Sequence, residues 1–331
     1  LTPDGKIKDL ISLKHQRRLT KENQAFNEFL IGEDIPALWD SWDIDYDQQV
    51  KMEASAQSVK SEIINQGELH LRIRSEFKIG EASTIKQDII FYAESARIDF
   101  ETLVDWNEDH KLLQTSFDLD VFSNSIKCEI PFGYIERPTH NNSLVDRACF
   151  EFSQHKYSDI SETRFGVAFL NDGKYAIDAN GSRVKLSLLK SGGHPDPRGD
   201  KGKHFMVYSL LPHDGGLSSE AVIQPAYELN HPPVLLPKEN AQINKARFCE
   251  VSESNIIVES IKWADDNSGY TLRIYEAEGS ATPCQIKLSS AGSAIHECNM
   301  LEEELNELEQ TEKGITLHFR AFEIKTLKVS L

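Results

Sequence analysis

Cysteine is scarce in this chain, five in 331 residues, and the five lie scattered at Cys128, Cys149, Cys249, Cys284 and Cys298. That spacing excludes a disulfide-stapled scaffold and contains no CxxC pair for zinc, so a reducing compartment, the cytoplasm, fits best. Basic residues are also few: 36 Lys and Arg stand against 53 Asp and Glu, for a formal net charge of -17. Nucleic-acid binding draws its affinity from clustered cations, so that partner is excluded, and an anionic membrane surface with it. A neutral ligand such as a carbohydrate is compatible with the acidity, which also serves solubility. No run of about 18 apolar residues reads as a membrane span, and no secretory signal is seen. The first residue is Leu1 rather than Met, which leads us to expect a piece cut from something longer. Catalytic signatures are missing as well: there is no G-x-S-x-G elbow, Walker loop, H-E-x-x-H or G-x-G-x-x-G.

What the chain does contain is short strands. Leu69, Leu71, Ile73, Phe77 and Ile79 alternate with His70, Arg72, Arg74 and Lys78, which predicts a half-buried antiparallel strand. ARIDFETLVDW repeats the pattern, with Ile98, Phe100, Thr102, Val104 and Trp106 on one face. Pro3 to Gly5 reads as a turn, followed by a strand through Ile7, Leu10, Ile11 and Leu13. The proline-rich stretch Gln224 to Asn240 reads as irregular and carries a domain boundary. Beyond it NIIVESIKW, YTLRIYE, CQIKLSS, GITLHFR and EIKTLKVSL are five further strands, and MLEEELNELEQ is a candidate helix with Leu301, Leu305 and Leu308 at i, i+4 and i+7. Strands without helical periodicity between them predict an all-β, sandwich architecture. We expect a large antiparallel β-sandwich over residues 1–228 and a small one over residues 229–331.

Candidate chemistry concentrates in two places. Trp39, Asp40, Trp42 and Asp43 crowd into one short segment, and two tryptophans among carboxylates suit either a sugar platform or ordinary core packing. The block from Cys128 to His213 holds His140, His155, His194, His204 and His213, whose spacing matches no metal motif. Acid pairs such as Asp159 with Glu162 and Asp172 with Asp178 are too common here to mark a glycosidase centre, which needs two carboxyls about 5 to 9 Å apart. Asn171, Asp172, Lys174 and Tyr175 follow the apolar strand GVAFL, where they suit ligand hydroxyls or merely form a hairpin turn. The loop GGHPDPRGDKGKH, rich in Gly and Pro, reads as a lid or pocket edge rather than a passive connector.

IPFGYIERPTH, FE followed by HKYSDISE, GVAFLND with KY, and LLKSGGHPDP closing at LLPH together resemble the central β region of glycoside hydrolase family 38, the α-mannosidases, nearest the bacterial, fungal and cytosolic branch. DGKIKDLISL, EDIPALWDSWDID, DWNEDHKLLQTSF, PAYELN and FEIKTLKVSL fall in the order that family uses. The resemblance implies a mutarotase-like supersandwich within a retaining α-mannosidase, acting on a mannose-containing oligosaccharide with a bound zinc ion. It also implies that the nucleophile, general acid and zinc ligands belong to an upstream α/β catalytic domain, with no catalytic residue and no metal ligand in this chain. This chain then packs on its own amino-terminal catalytic domain and supplies one pocket wall. The wall candidates are Trp39, Asp40, Trp42, Asp43, Glu136, Arg137, His155, Asp159, Asp172, Lys174, Lys190 and His204. Two departures from the family pattern stand out: LLKSG for LLRSP, which puts Lys190 where Arg is usual and Gly192 where Pro is usual, and Tyr157 for Trp. If the usual Arg meets sugar hydroxyls or a carboxylate, lysine keeps the charge and loses the two-pronged fork.

Two rival readings remain. One is a free-standing, non-catalytic carbohydrate-binding β-sandwich. The other is a complete mutarotase-like enzyme using a His such as His155 or His204 with a Glu as acid and base. A homo-oligomer is compatible with either.

Overall fold

The computed structural model describes residue 2 and residues 5–234, 247–289 and 294–331. Pro3 and Asp4 of the expected opening turn, and the end of the proline-rich stretch from residue 235 to 240, lie outside the described residues. The chain divides into two compact units. Leu1–Cys128, Glu136–Leu217 and Pro225–His231 make the first, and Glu129–Ile135, Ser218–Gln224 and Pro232–Leu331 the second.

The larger sheet has nine strands in the order Gly133–Pro138, Ser125–Ile130, Tyr157–Ser161, Phe165–Asn171, Gly202–Asp214, Ile98–Trp106, Ser83–Tyr92, His70–Ile79 and Gln57–Gln66. A six-stranded sheet runs Phe152–Ser153, Ala176–Asn180, Arg183–Lys190, Lys111–Asp118, Phe26–Glu33 and Glu53–Ala54. The registered pairings are antiparallel. The fold is therefore all-β. Ile98, Phe100, Thr102, Val104 and Trp106 are all buried, as period-2 alternation requires of one sheet face. Strands such as Phe165–Asn171, buried at every residue, are covered on both faces.

Between these two sheets of the first unit, Phe117 meets Phe26, Phe100, Phe169 and Tyr208 with ring centroids 5.3 to 6.4 Å apart. Tyr208 also stacks on Phe100 at 5.1 Å. Within this apolar layer lies a closed polar cluster. Asn27 occupies a bulge in its strand, with φ of 60°, a left-handed value that asparagine tolerates better than most side chains. Its Oδ1 accepts from the Tyr208 hydroxyl at 2.7 Å and from Thr115 at 3.2 Å, and its Nδ2 donates to Gln87 Oε1 at 2.5 Å. Gln87 Nε2 in turn donates to Thr102 at 2.9 Å and to the Tyr208 oxygen at 2.8 Å. Burial pushes the Tyr208 phenol far above its ordinary pKa, so it stays a neutral donor.

The second unit pairs a three-stranded sheet, Cys249–Val251, Thr282–Leu288 and Ile315–Phe319, with a five-stranded one, Ile256–Trp263, Gly269–Glu276, Ile324–Ser330, Ala294–Cys298 and Glu304–Glu307. Ile256, Leu272, Ile274, Cys284, Ile286, Leu317, Phe319, Leu327 and Val329 share one core. The buried Glu276 carboxylate accepts from Asn255 Nδ2 and from the backbone N–H groups of Glu278, Gly279, Ser280 and Phe322, all at 2.8 to 3.0 Å. One carboxylate thus shapes two loops.

Three expectations need correcting. The Leu301, Leu305, Leu308 spacing does not make a helix: Asn299 Oδ1 accepts from the N–H groups of Leu301 and Glu303, turning the chain so that Glu304–Glu307 pairs with Ala294–Cys298. The edge of a neighbouring strand outweighs a helical pattern whose Leu301 and Leu305 remain exposed. Among the described residues of the opening segment, Ile7 makes a single antiparallel bridge to Phe26 and Ile11–Ser12 pairs with Arg17–Arg18, so no continuous strand runs from Ile7 to Leu13, which is left in solvent. Within the proline-rich stretch Gln224–Asn230 is helical, running on directly from the single π-helical turn Ser219–Ile223 that Ser218 caps.

Replacing Tyr208 by Phe deprives both Asn27 Oδ1 and Gln87 Nε2 of a partner without opening a cavity. Urea denaturation should show a loss of about 1–2 kcal/mol with an unchanged slope. An unchanged midpoint would mean that the cluster contributes nothing net.

Candidate functional site

The tryptophan segment is an ordered loop between two anchors. At one end Asp34 follows the Phe26–Glu33 strand, gives its N–H to the His110 carbonyl at 2.8 Å and pairs its carboxylate with Lys190. The Asp34 side chain is 0% exposed and that of Lys190 17%. Burial pushes the Asp34 carboxyl above the usual aspartate range while Lys190 pulls it back. Lys190 reaches this position because its strand carries a bulge. Ser187 stands opposite Gln114 and Lys190 opposite Leu112, so two residues three apart share one face.

At the loop's middle, Trp39 adopts φ of 59° and its carbonyl accepts from the N–H groups of Trp42 and Asp43 at 2.7 and 2.9 Å. Asp40 Oδ2 accepts from the N–H groups of Gly193 and His194 at 2.7 and 3.1 Å, and the Ser41 hydroxyl donates to the His194 carbonyl at 2.6 Å. The loop expected as a lid or edge is thereby tied to the tryptophan loop. Asp45 accepts from the Ala37 N–H at 2.8 Å and closes the turn. Trp39 and Trp42 are 68% and 69% exposed, so the core-packing reading of the pair fails. A left-handed backbone at a bulky exposed residue is strain held by its surroundings, and such strain gathers at ligand-facing sites.

Beside this loop lies a cleft of about 480 Å³ lined by Trp42, Asp43, Ile44, Phe150, Glu151, Tyr175 and Lys190, among others. Burial pushes the Glu151 carboxyl up, opposed by the Ser187 hydroxyl that donates to it. Phe150 stacks edge-on against Tyr46 at 5.5 Å, and Tyr46 lines a second, polar cleft of about 660 Å³ together with Asp118, Asp178, Arg183 and Lys185. Aromatic faces beside a carboxylate, a hydroxyl and an ammonium group can stack on a pyranose and bond its hydroxyls. Asp43 and Glu151 are the only acids among the residues described as lining the smaller cleft.

The other candidates fall elsewhere. His155 packs on Tyr175 with ring centroids 5.2 Å apart and gives its carbonyl to Asn171 Nδ2. Asn171 Oδ1 accepts from the Gly173 and Lys174 N–H groups, so this residue builds the turn and lets Asp172 and Lys174 project from it. Burial raises the Asp172 pKa and lowers that of Lys174, the latter against the charges of Asp200 and Asp172. His204 Nε2 meets the Asp200 carbonyl at 2.5 Å. Glu136 and Arg137 sit on the outermost strand of the nine-stranded sheet and line neither cleft. Asp159 faces inward: its carboxylate is 2.7 Å from His213 Nε2 and accepts from Ser161 at 2.8 Å, with the pair sealed from solvent. Burial lowers the His213 pKa, but the hydrogen bond and charge of Asp159 outweigh it and leave the net shift upward.

Asp34, His110 and Glu151 lie inside the family-like stretches but were not among the wall candidates, because residue type alone does not show what each one meets. Their partners Lys190, Asp40 and Ser187 are brought to them from distant stretches of chain, 156 positions away in the case of Asp34. Among the described residues no group of three or more His, Cys, Asp or Glu is arranged to hold a metal ion. No step below is routed through a metal ion held by these described residues.

Compared with known proteins, residues 1–198 match the model for the glycosyl hydrolases family 38 C-terminal domain, and residues 255–327 that for the glycosyl hydrolases family 38 C-terminal beta sandwich domain. Alpha-mannosidase G of Dictyostelium discoideum is 37% identical over 98% of this chain and 31% of its own length. Human alpha-mannosidase 2C1 is 32% identical over 100% of the chain and 32% of its own length. The crystal structure of an alpha-mannosidase from Enterococcus faecalis V583 superposes with a TM-score of 0.79 at 14% identity, over 99% of this chain and 41% of that one. The chain thus spans about a third of the length of the curated relatives it matches.

Two outcomes follow. Lys190→Met should cost on the order of 3–5 kcal/mol by stranding a buried carboxylate, whereas Lys190→Met combined with Asp34→Leu should recover most of it in denaturant titrations. A double variant as unstable as the single one would locate the loss in packing. The raised His213 pKa means that the folded state binds its proton more tightly, so this pair's stabilisation is complete below about pH 6.5 and fades as pH rises through the folded value. Denaturation midpoints of His213→Gln should lack that alkaline-side decline.

Proposed function

The chain belongs to glycoside hydrolase family 38, as its carboxy-terminal β region, and on that premise we propose that it forms one wall of the mannose pocket of a retaining, zinc-dependent α-mannosidase. In this reading the nucleophile, the general acid and the zinc ligands lie in an upstream α/β domain on which the chain packs. Zinc there would orient the sugar hydroxyls, and the present residues would bind and orient the rest of the glycan. The observation that carries the reading is the pair of solvent-facing tryptophans on a pinned loop beside a cleft containing Lys190. Apolar rings of this size left in water call for a partner, and a neutral pyranose suits rings flanked by Asp43 and Glu151 better than a charged ligand does. A cytoplasmic setting is consistent with five free cysteines, and no helix among the described residues is long and apolar enough to cross a membrane.

In the pocket wall Lys190 does not act as a free cation. With Asp34 it forms a neutral pair that holds the tryptophan loop to the sheet, so its loss should act on sugar positioning as well as on stability.

The test is direct. An aryl α-mannoside is incubated with the chain alone and with the intact protein, each with and without added zinc. Turnover by the intact protein only is expected, and sustained turnover by the isolated chain would overturn the reading. If both are inert while the chain still binds mannosides, the non-catalytic carbohydrate-binding reading replaces it. In the active protein, Trp42→Ala should raise KM on an oligomannoside on the order of tenfold while leaving aryl mannoside hydrolysis less affected, as expected where one stacked ring is lost.

A further inference from the structure

The outward face of the six-stranded sheet carries more than the cleft beside the tryptophan loop. Where the Ala176–Asn180, Arg183–Lys190 and Lys111–Asp118 strands lie side by side, their register sets two polar rows across it. Asp178 stands opposite Lys185 and Lys185 opposite Ser116; in the next row Asn180 stands opposite Arg183 and Arg183 opposite Asp118. Period-2 alternation puts both rows on one face, while Ile177, Val184 and Phe117 turn into the core. These rows line the polar cleft of about 660 Å³, which is larger than the one beside Trp42.

The charges at its floor are sunk: the side chains of Asp178, Lys185 and Asp118 are 3%, 8% and 11% exposed. Asp178 Oδ2 lies 2.6 Å from Lys185 Nζ as a buried ion pair without hydrogen-bond alignment, and Lys185 donates instead to Gln49 Oε1 at 3.3 Å. Taking such groups out of water is costly, and a sheet face needs no charge to pair its strands. Above the floor the groups are open. Arg183 holds Asp118 through Nε alone, at 3.0 and 3.2 Å, so both its Nη groups are left without a hydrogen-bond partner among the described residues. Phe122 and Tyr46 also line the cleft, with Phe122 77% exposed. That ring sits on a held backbone: the Phe122 N–H donates to Glu162 Oε1 at 2.9 Å, and Arg17 grips the same carboxylate at 2.6 and 2.8 Å.

The charge balance narrows the ligand. Lys21, Arg183 and Lys185 stand against Asp118, Asp120, Glu162 and Asp178, three cations against four carboxylates around one cleft. An anion such as phosphate finds no net attraction there, and a docked protein would meet charges that interface cores avoid. A neutral polyhydroxylated ligand needs donors and acceptors side by side and a ring to stack on, which is what this cleft offers. It also adjoins the first cleft. Tyr46 packs on Phe150, which lines the smaller one, and the Arg183–Lys190 strand serves both, with Arg183 and Lys185 in one and Lys190 in the other. The eight residues of that strand span on the order of 25 Å, the reach of an oligosaccharide rather than of a single sugar.

We propose that the larger cleft is a second saccharide site, which takes a neutral pyranose of the same oligosaccharide several units away from the one bound beside Trp42. Phe122 stacks on the apolar face of that sugar, and the Arg183 Nη groups and the Asn180 amide bond its hydroxyls. The identity of the sugar as mannose rests on the pocket reading; the site itself does not. No bond is made or broken there, and its effect is to hold a long glycan.

Affinity electrophoresis of the intact protein through gels containing soluble α-mannan reads the site without turnover. Phe122→Ala should raise the apparent Kd on the order of tenfold, as expected where one stacked ring is lost. Arg183→Lys keeps a cation beside Asp118 and loses the Nη groups, so it should weaken binding several-fold while the protein stays folded. Trp42→Ala should leave a residual retardation that vanishes when Phe122→Ala is added. An aryl α-mannoside is too short to reach the second cleft, so both second-site variants should hydrolyse it with unchanged kcat/KM while their KM on an oligomannoside rises. An unaltered protein that α-mannan does not retard, or retardation undiminished in both variants, would overturn the proposal. So would a joint fall in thermal midpoint and aryl mannoside hydrolysis with α-mannan binding unchanged, the mark of a face buried against another part of the protein. A protein that binds α-mannan through Phe122 and Arg183 yet hydrolyses no mannoside retains the second site and refutes the pocket reading alone.

Discussion

Two sheets can bury their faces on each other in many registers, since apolar contact is not directional. In the first unit the registry is set by the polar cluster at Asn27. Its two amide groups, two threonine hydroxyls and one phenol satisfy one another only when the Phe26–Glu33 strand lies over the Ser83–Tyr92 and Gly202–Asp214 strands as observed. A shift of one residue would leave several buried donors without acceptors, at a cost of about 1–3 kcal/mol for each. The surrounding phenylalanines supply the driving force, and the cluster supplies the choice.

The site inherits that choice. The Phe26–Glu33 strand, once placed by Asn27, delivers Asp34 to the sheet end where Lys190 emerges. The bulge in the Arg183–Lys190 strand turns Lys190 to the same face as Ser187, and from there the pair anchors the loop that presents Trp39 and Trp42. Two bulges, at Asn27 and next to Ser187, therefore connect the buried registry to the exposed rings. The Asp40 carboxylate finishes the job from the other side through Gly193 and His194.

Much of the architecture was legible from alternation alone, because a strand with one wet face must alternate. Ile98 to Trp106 is the clear case, and all five strands expected near the end of the chain are present. The failures have a common origin. Leu301, Leu305 and Leu308 fit a helix by spacing, but a free strand edge at Ala294–Cys298 offered backbone partners that spacing cannot see. For the site, Trp39, Asp40, Trp42, Asp43 and Lys190 were visible as residue types, and the structure joins them in one loop and cleft. Asp159 looked similar on paper but is spent internally on His213.

The amino-acid sequence by itself determined the all-β class and the family, the latter through long motifs that keep their order. Those properties depend on composition and local periodicity, which need no knowledge of distant neighbours. Only the tertiary structure decided which polar groups are free to meet a ligand and which neutralise one another. Asp34 with Lys190 is a pair drawn across 156 positions of chain, and a carboxylate's role follows from the cation and dielectric it is folded against.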